Sequence, residues 1–239
     1  MNETRLAGKS CLITGATGGI GVWLCREMAA RGCRLFLTGT SAGALAETAR
    51  CSDLEGAVDG WVAADLGEEG AVSSVVTAVG DVMEKVDVII HSAGVFPVEA
   101  VEDLTAEGIQ RCLAVNLQSF MILSAALAPA MADRGWGRIV AIGSSSAYAG
   151  FARTSVYCAS KHGLLGFCRA LNDELRSNGV RVITVSPGSV KTEMGRLVEG
   201  QDFSTFIEPE EVARAVVQAM ELDGSMAVDE LRLNRMVIQ

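Results

Sequence analysis

The sequence predicts an α/β fold: a doubly wound, mostly parallel sheet of about seven strands with helices on both faces. Three observations predict it. Short apolar runs of strand length alternate with longer helical patterns along the chain, as βαβ units require. Apolar residues make up 49% of the chain and aromatics only 5%, so the core is built from Ala, Val, Ile and Leu, as buried parallel strands prefer. The 239 residues hold four prolines and no Ser/Gly-rich or Pro-rich linker, so one domain over 1–239 is expected.

Residues 9–14 read as the first strand and 18–31 as the first helix, with Ile20, Trp23, Leu24 and Met28 on one face. Residues 34–38 give a second strand, 43–50 a helix and 58–64 a third strand. A helix over 70–83 leads to a strand over 86–91. One long helix is expected over about 105–132, then a strand over 138–143 and a long helix over 154–177. Residues 180–186 form the sixth strand, and 209–221 a late helix with Pro209 in its first turn. A last short strand is expected at 231–233. Crossovers in such a sheet are right-handed, and ligands bind beyond the carboxyl ends of the strands.

Composition excludes several functions. The net charge of −9 and the lack of a Lys/Arg cluster argue against nucleic acid as a partner. The seven cysteines show no C-x-x-C pair, and the chain has only two histidines, so no metal site is expected. The cysteines read as small buried residues of a reducing compartment. The N-terminal stretch, with Glu3, Arg5 and Lys9, lacks an apolar signal core, and no membrane span is expected. A cytoplasmic protein follows.

The unusual residues fall at the carboxyl ends of the strands. The first strand ends in T-G-A-T-G-G-I-G, residues 14–21, with Gly15, Gly19 and Gly21 spaced G-x-x-x-G-x-G. Glycines there let the backbone approach a pyrophosphate, and the helix opening near Gly18 points its free N–H groups at it. Thr17 and Ile20 belong to the same dinucleotide-binding loop. At the end of the second strand a carboxylate selects NAD and a basic residue selects NADP. This chain has Gly39, Thr40 and Ser41 instead, and the absence of an acid favours NADP(H) over NAD(H). Asp65, followed by Leu66, has a carboxylate for an adenine amino group, or else caps a helix beginning near Gly67. Ser92, Ala93 and Gly94 are small enough for a ribose to lie against the backbone. Pro187, Gly188, Val190 and Thr192 can hold the nicotinamide carboxamide.

Tyr157 and Lys161 stand at i and i+4, on one helix face. A lysine ammonium beside a phenol lowers the phenol pKa, which suits proton exchange with an alcohol or carbonyl. Ser144 ends the fifth strand and can donate to a substrate oxygen. Asn116 is a polar residue inside an apolar helix and needs a partner.

Together T-G-A-T-G-G-I-G, Asp65, S-A-G at 92–94, Asn116, Ser144, Y-C-A-S-K and P-G-S-V-K-T resemble the short-chain dehydrogenase/reductase family over nearly the whole chain. The resemblance implies a Rossmann-type fold and a catalytic tetrad of Asn116, Ser144, Tyr157 and Lys161. In that scheme Tyr157 donates a proton as hydride arrives from the nicotinamide, and Ser144 orients the carbonyl. Lys161 tunes the tyrosine and binds ribose hydroxyls, while Asn116 holds a water linking Lys161 to solvent. The run at 39–41 is similar to that of 3-oxoacyl-ACP reductases. His91 and Ser92 replace the usual Asn-Asn, so weaker bracing of the sheet is expected. Gly18 stands where many NADP-preferring members carry a basic residue. Assembly as a homotetramer or homodimer is implied, through the two long helices.

The substrate is expected to be a small carbonyl or alcohol compound, an apolar ketone or a 3-oxoacyl thioester. It would be enclosed by loops 95–98 and 145–154 and by a short lid at about 193–208. Phe96, Tyr148, Phe151 and Phe206 suggest an apolar pocket, with Met194, Leu197, Val198 and Phe203 on the lid segment. Arg153 either meets an acidic substrate or is a solvated loop residue. The alternative function is a cofactor-sensing protein without catalysis.

Overall fold

The computed structural model describes residues 5–222 and 226–236; the rest of the expected 1–239 domain lies outside the described residues. Seven strands form one parallel sheet: β1 (Ser10–Thr14), β2 (Arg34–Gly39), β3 (Val58–Ala63), β4 (Val88–His91), β5 (Gly137–Ile142), β6 (Val180–Pro187) and β7 (Glu230–Leu233). Their order is β3-β2-β1-β4-β5-β6-β7. The chain therefore winds outward twice from the centre, and the reversal falls between β1 and β4, where Thr14 pairs with His91. Such a switch point opens a crevice at the carboxyl edge.

The helices are α1 (Gly19–Ala30), α2 (Ala42–Ala49), α3 (Ala71–Val82), α4 (Ala106–Leu113), α5 (Ser119–Asp133), α6 (Ser155–Leu175) and α7 (Pro209–Glu221). Alternating side chains of the central strands serve two cores. Ile13, Leu37, Val140 and Val185 pack with Leu24 and Met28 of α1 and Val216 of α7. Leu12, Phe36, Ile89 and Val182 pack with Val75 of α3, Phe120 of α5 and Leu164 of α6. Neither face is open to water along the centre, which is why β1, β4 and β5 are buried along their whole length.

Two expectations change. The buried face of α1 is Gly21, Leu24, Cys25 and Met28, while Ile20 and Trp23 are only partly covered because they turn toward the crevice. The single long helix expected over 105–132 is broken by a wide turn, Ala114–Gln118, with π-type winding between α4 and α5. Such an inserted residue rotates the helix downstream relative to the part upstream. By length and composition the stretch Ala106–Asp133 could cross a membrane. It is nonetheless a core helix here, with Phe120, Leu123, Ala128 and Met131 buried.

Candidate active site

The crevice beyond the strand ends is a cleft of about 1100 Å³. One half is built from turns that follow β1 to β4. Gly15 has a φ of +64°, and a Cβ there would stand 2.7 Å from the Ala93 nitrogen. A Cβ on Gly21 would stand 2.0 Å from the Gly15 carbonyl oxygen. Two loops thus touch backbone to backbone, a closeness only glycine allows. Gly18 precedes the first turn of α1, whose leading N–H groups open on the cleft. Gly15, Thr17, Gly18, Gly19, Ile20, Gly39, Thr40, Asp65, Leu66, Ser92, Ala93 and Gly94 all line this half. Gly21 does not; it supports the loop from behind. Ser41 does not either, because its hydroxyl accepts from the Ala44 N–H as the cap of α2. This glycine cradle at a helix N-terminus fits a dinucleotide.

Asp65 caps no helix, since α3 begins only at Ala71 behind Gly70 in left-handed conformation. Its Oδ1 accepts from Gly67 N at 3.0 Å, and its Oδ2 accepts from Arg111 Nη2 at 2.7 Å. The Arg111 hydrogen bond, then the Gly67 N–H, hold this carboxyl below its ordinary pKa. Arg111 lies on the cleft wall with Val115, one helical turn on, and sequence reading missed both. Their i,i+4 spacing was the available signal. Trp23 also lines the cleft.

At His91 an imidazole stands at the sheet edge where the family resemblance led to weaker bracing being expected. His91 Nδ1 lies 2.9 Å from Thr14 Oγ1, and that hydroxyl oxygen accepts from the Ala93 N–H. Ser119 Oγ, 3.5 Å from Nε2, donates to the Val115 carbonyl. Burial pushes the His91 pKa down to about 3, so the ring is neutral and replaces the amide as a brace between β1, β4 and the turn before α5.

The other half holds the acid/base group. Tyr157 and Lys161 sit on the first turns of α6, both buried, and Ser144 follows β5. Lys161 Nζ donates to the Ile142 carbonyl at 2.8 Å and lies 5.7 Å from the Tyr157 ring centre. Ser144 Oγ accepts from the Ser146 N–H. The expected lowering of the tyrosine pKa is reversed. Burial pushes Tyr157 up to about 12, and the Ser144 hydrogen bond opposes this without overcoming it. Burial pushes Lys161 down to about 8. Desolvation is the largest cause of both shifts because both groups are enclosed.

Asn116 is fully buried in the wide turn and does not line the cleft. It accepts from Val95 N at 2.8 Å and donates to Val95 O at 2.9 Å and Ser160 Oγ at 3.1 Å. Its side-chain amide therefore fixes Val95 and ties it to Ser160 of α6. Pro187, Gly188, Val190 and Thr192 line the cleft. The Thr192 hydroxyl accepts from Gly195 N, and its methyl group faces Gly19, joining the lid to the glycine loop.

The substrate side is walled by Phe96, Val98, Phe151, Met194, Leu197 and Val198. Tyr148 and Phe206 are corrections. Tyr148 turns away and donates to Glu230 Oε2 at 2.8 Å, under the Arg232 guanidinium. Phe206 is buried beneath the lid, with its ring 5.1 Å from that of Phe203.

A family model described as short chain dehydrogenase matches residues 9–202. A D-threitol dehydrogenase of Mycolicibacterium smegmatis is 33% identical, over 90% of this chain and 86% of its own. The 3-oxoacyl-acyl-carrier-protein reductase FabG of Escherichia coli is 33% identical, over 79% and 76%. A metagenomic short-chain oxidoreductase solved in complex with NADP superposes with a TM-score of 0.84 at 28% identity, over 97% and 99%. With a glycine cradle, a buried Tyr-Lys pair and a seven-stranded parallel sheet already in place, this chain belongs to the short-chain dehydrogenase family.

Proposed function

We propose that the protein is an NADP(H)-preferring carbonyl reductase acting on an apolar ketone or a 3-oxoacyl thioester. The observation that carries this reading is the buried Tyr157 hydroxyl, paired with Ser144 and opening on the cleft that also holds the glycine cradle. A nicotinamide dinucleotide held by the glycine cradle of Gly15, Gly18 and Gly19 would supply a hydride to the carbonyl carbon. Tyr157 gives the proton that completes the alcohol; pushed up to about 12 by burial, its phenol carries that proton at neutral pH. Ser144 donates to the carbonyl oxygen and holds it toward the phenol. The buried Lys161 ammonium stabilises the phenolate formed as the proton leaves. Asn116 acts one step back, by fixing Val95 in the wall beside Phe96, whose ring meets Tyr157 edge-on at 4.6 Å.

The preference for NADP(H) is supported by Gly39 and Thr40 on the cleft wall, where no carboxylate repels a 2′-phosphate. The apolar substrate is supported by Phe96, Val98, Phe151 and Leu197. The short lid is assigned to 193–208, closed at its base by the bridge between Val190 and Ile207. We place the protein in the cytoplasm, as a homodimer or homotetramer docking through the exposed side of α5 and α6. There Ile122 is half exposed beside the small Ala125 and Ala126.

The test is steady-state oxidation of NADPH and NADH over a ketone panel that includes a 3-oxoacyl thioester. Tyr157→Phe is expected to lower kcat by at least about a thousandfold while cofactor affinity, followed by NADPH fluorescence, stays within about twofold. Activity of the variant within a few-fold of the parent would defeat the assignment.

A further inference from the structure

Arg153 is held in an unusual state. It is the one described residue other than glycine with a positive φ, +63°. Left-handed backbone is strained for a side chain with a Cβ, and such strain persists where the surroundings over-determine it, often at a functional site. Arg153 also ties together the three loops that enclose the substrate. It belongs to the turn before α6, its carbonyl accepts from Glu99 N at 2.7 Å, and its Nη1 lies 3.3 Å from Glu199 Oε2 on the lid.

The charges around this half of the cleft make the pair distinctive. Lys191 lines the cleft but is bound by Glu208, which does not. Glu193 is bound by Arg196, also outside the lining. Lys161 is committed to the Ile142 carbonyl. Arg153 and Glu199 both line the cleft, at the edge of its apolar wall. Their side chains are 52% and 76% exposed, so water screens the attraction and the pair is easily exchanged. A carboxylate delivered with an apolar chain bound beneath it can form a bidentate bond to the guanidinium, the geometry arginine fits best.

We propose that Arg153 is the carboxylate-binding residue of the substrate cleft, and that Glu199 occupies it until a substrate carboxylate takes its place. The substrates are then oxo acids with an apolar segment between the ketone and the carboxylate, which narrows the apolar-ketone arm of the reductase reading and sets aside its thioester arm. Displacement also frees the lid from the loop before α6, so binding and opening are coupled. The proposal rests on the reductase reading above.

The test compares an oxo acid with its methyl ester on the parent protein, Arg153→Gly and Glu199→Gln. Glycine suits the positive φ, so the first variant is expected to fold. The parent should prefer acid to ester in kcat/KM by about tenfold, as one well-made charged contact gives. Arg153→Gly should bring the ratio close to one through the KM for the acid. Glu199→Gln should raise the ratio, because the arginine no longer has an internal partner. Opposite movement of the ratio in the two variants is the signature. If acid and ester change in parallel in both variants, the pair is only a latch between loops and the proposal fails. A parent that turns over the ester with no preference for the acid overturns this proposal alone. A parent that turns over neither overturns the reductase reading as well.

Discussion

The two halves of the cleft are built from different material. The dinucleotide half is made of strand ends and glycine turns, locked by backbone contacts such as Gly21 against the Gly15 carbonyl and Gly15 against Ala93. The substrate half is made of loops, held by the ion pair Arg153–Glu199 and by the Thr192 contacts of the lid. The first half has almost no room to change, because its shape is the shape of the sheet edge. The second can change its side chains without disturbing a strand. A fold constructed this way keeps one cofactor while its substrate varies, since the specificity loops sit on a rigid scaffold.

The comparison breaks first if the glycine loop tolerates a side chain. Gly21→Ala places a methyl group 2.0 Å from a carbonyl oxygen of the main chain, and neither backbone can yield without moving the loop. The expected result is a loss of NADPH affinity of at least about a hundredfold, about 3 kcal/mol, by fluorescence titration. Affinity within threefold of the parent would show that the cradle is not the cofactor site.

The second test uses pH. Lys161 is held down to about 8 from 10.5, and Tyr157 up to about 12. Reduction needs the charged lysine and the protonated tyrosine, so kcat should be level below pH 8 and fall above it, by up to about tenfold per pH unit. Stability should move the other way. Between 8 and 10.5 the unfolded lysine binds a proton that the folded one does not, so its contribution to stability rises with pH. The buried thiols Cys25, Cys33 and Cys168, pushed up to about 12, work in the opposite sense above about pH 9. Between pH 8 and 9 the Lys161 contribution rises by up to about 1.4 kcal/mol while activity falls, which separates titration from unfolding. A kcat that stays level through pH 10 would remove Lys161 from the proton-transfer step.

The same division explains what the sequence disclosed. The order of strands and helices was legible because each buried strand is an uninterrupted apolar run and each glycine turn marks a strand end. The break between α4 and α5 was not, because A-V-N-L-Q carries no glycine or proline, and the turn there is fixed by the bonds of Asn116 to Val95, twenty-one residues away. The partner of Asp65 was hidden for the same reason, since Arg111 reaches it across forty-six positions. The direction of the Tyr157 pKa depends on enclosure by several elements, which i,i+4 spacing does not report. The glycine motif, by contrast, carries its own geometry, because a residue that must have no Cβ is read directly from the letter. The substrate loops consist of residues that could equally face inward or outward, and Tyr148 and Phe206 show how that choice was misread.

Tyr148 gives the smallest effect and the sharpest check of where the boundary lies. Its ring is near Ser144 in sequence, four residues on, yet its hydroxyl bonds Glu230 on β7. Arg169 of α6 grips the same carboxylate and Arg232 covers the ring at 4.1 Å. Tyr148 therefore ties β7, an edge strand, to the loop after β5, beside the Arg169 link to α6, and does not line the cleft. Tyr148→Phe removes one partly exposed hydrogen bond to a charged group, so a loss of about 1 kcal/mol in denaturant unfolding is expected. Glu230 keeps its arginine partner, so no charge is stranded. The kcat/KM for any ketone should stay within about twofold, because Tyr148 is not part of the cleft lining. A large change in KM with unchanged stability would put the ring in the substrate pocket and redraw the division between a fixed cofactor half and a variable substrate half.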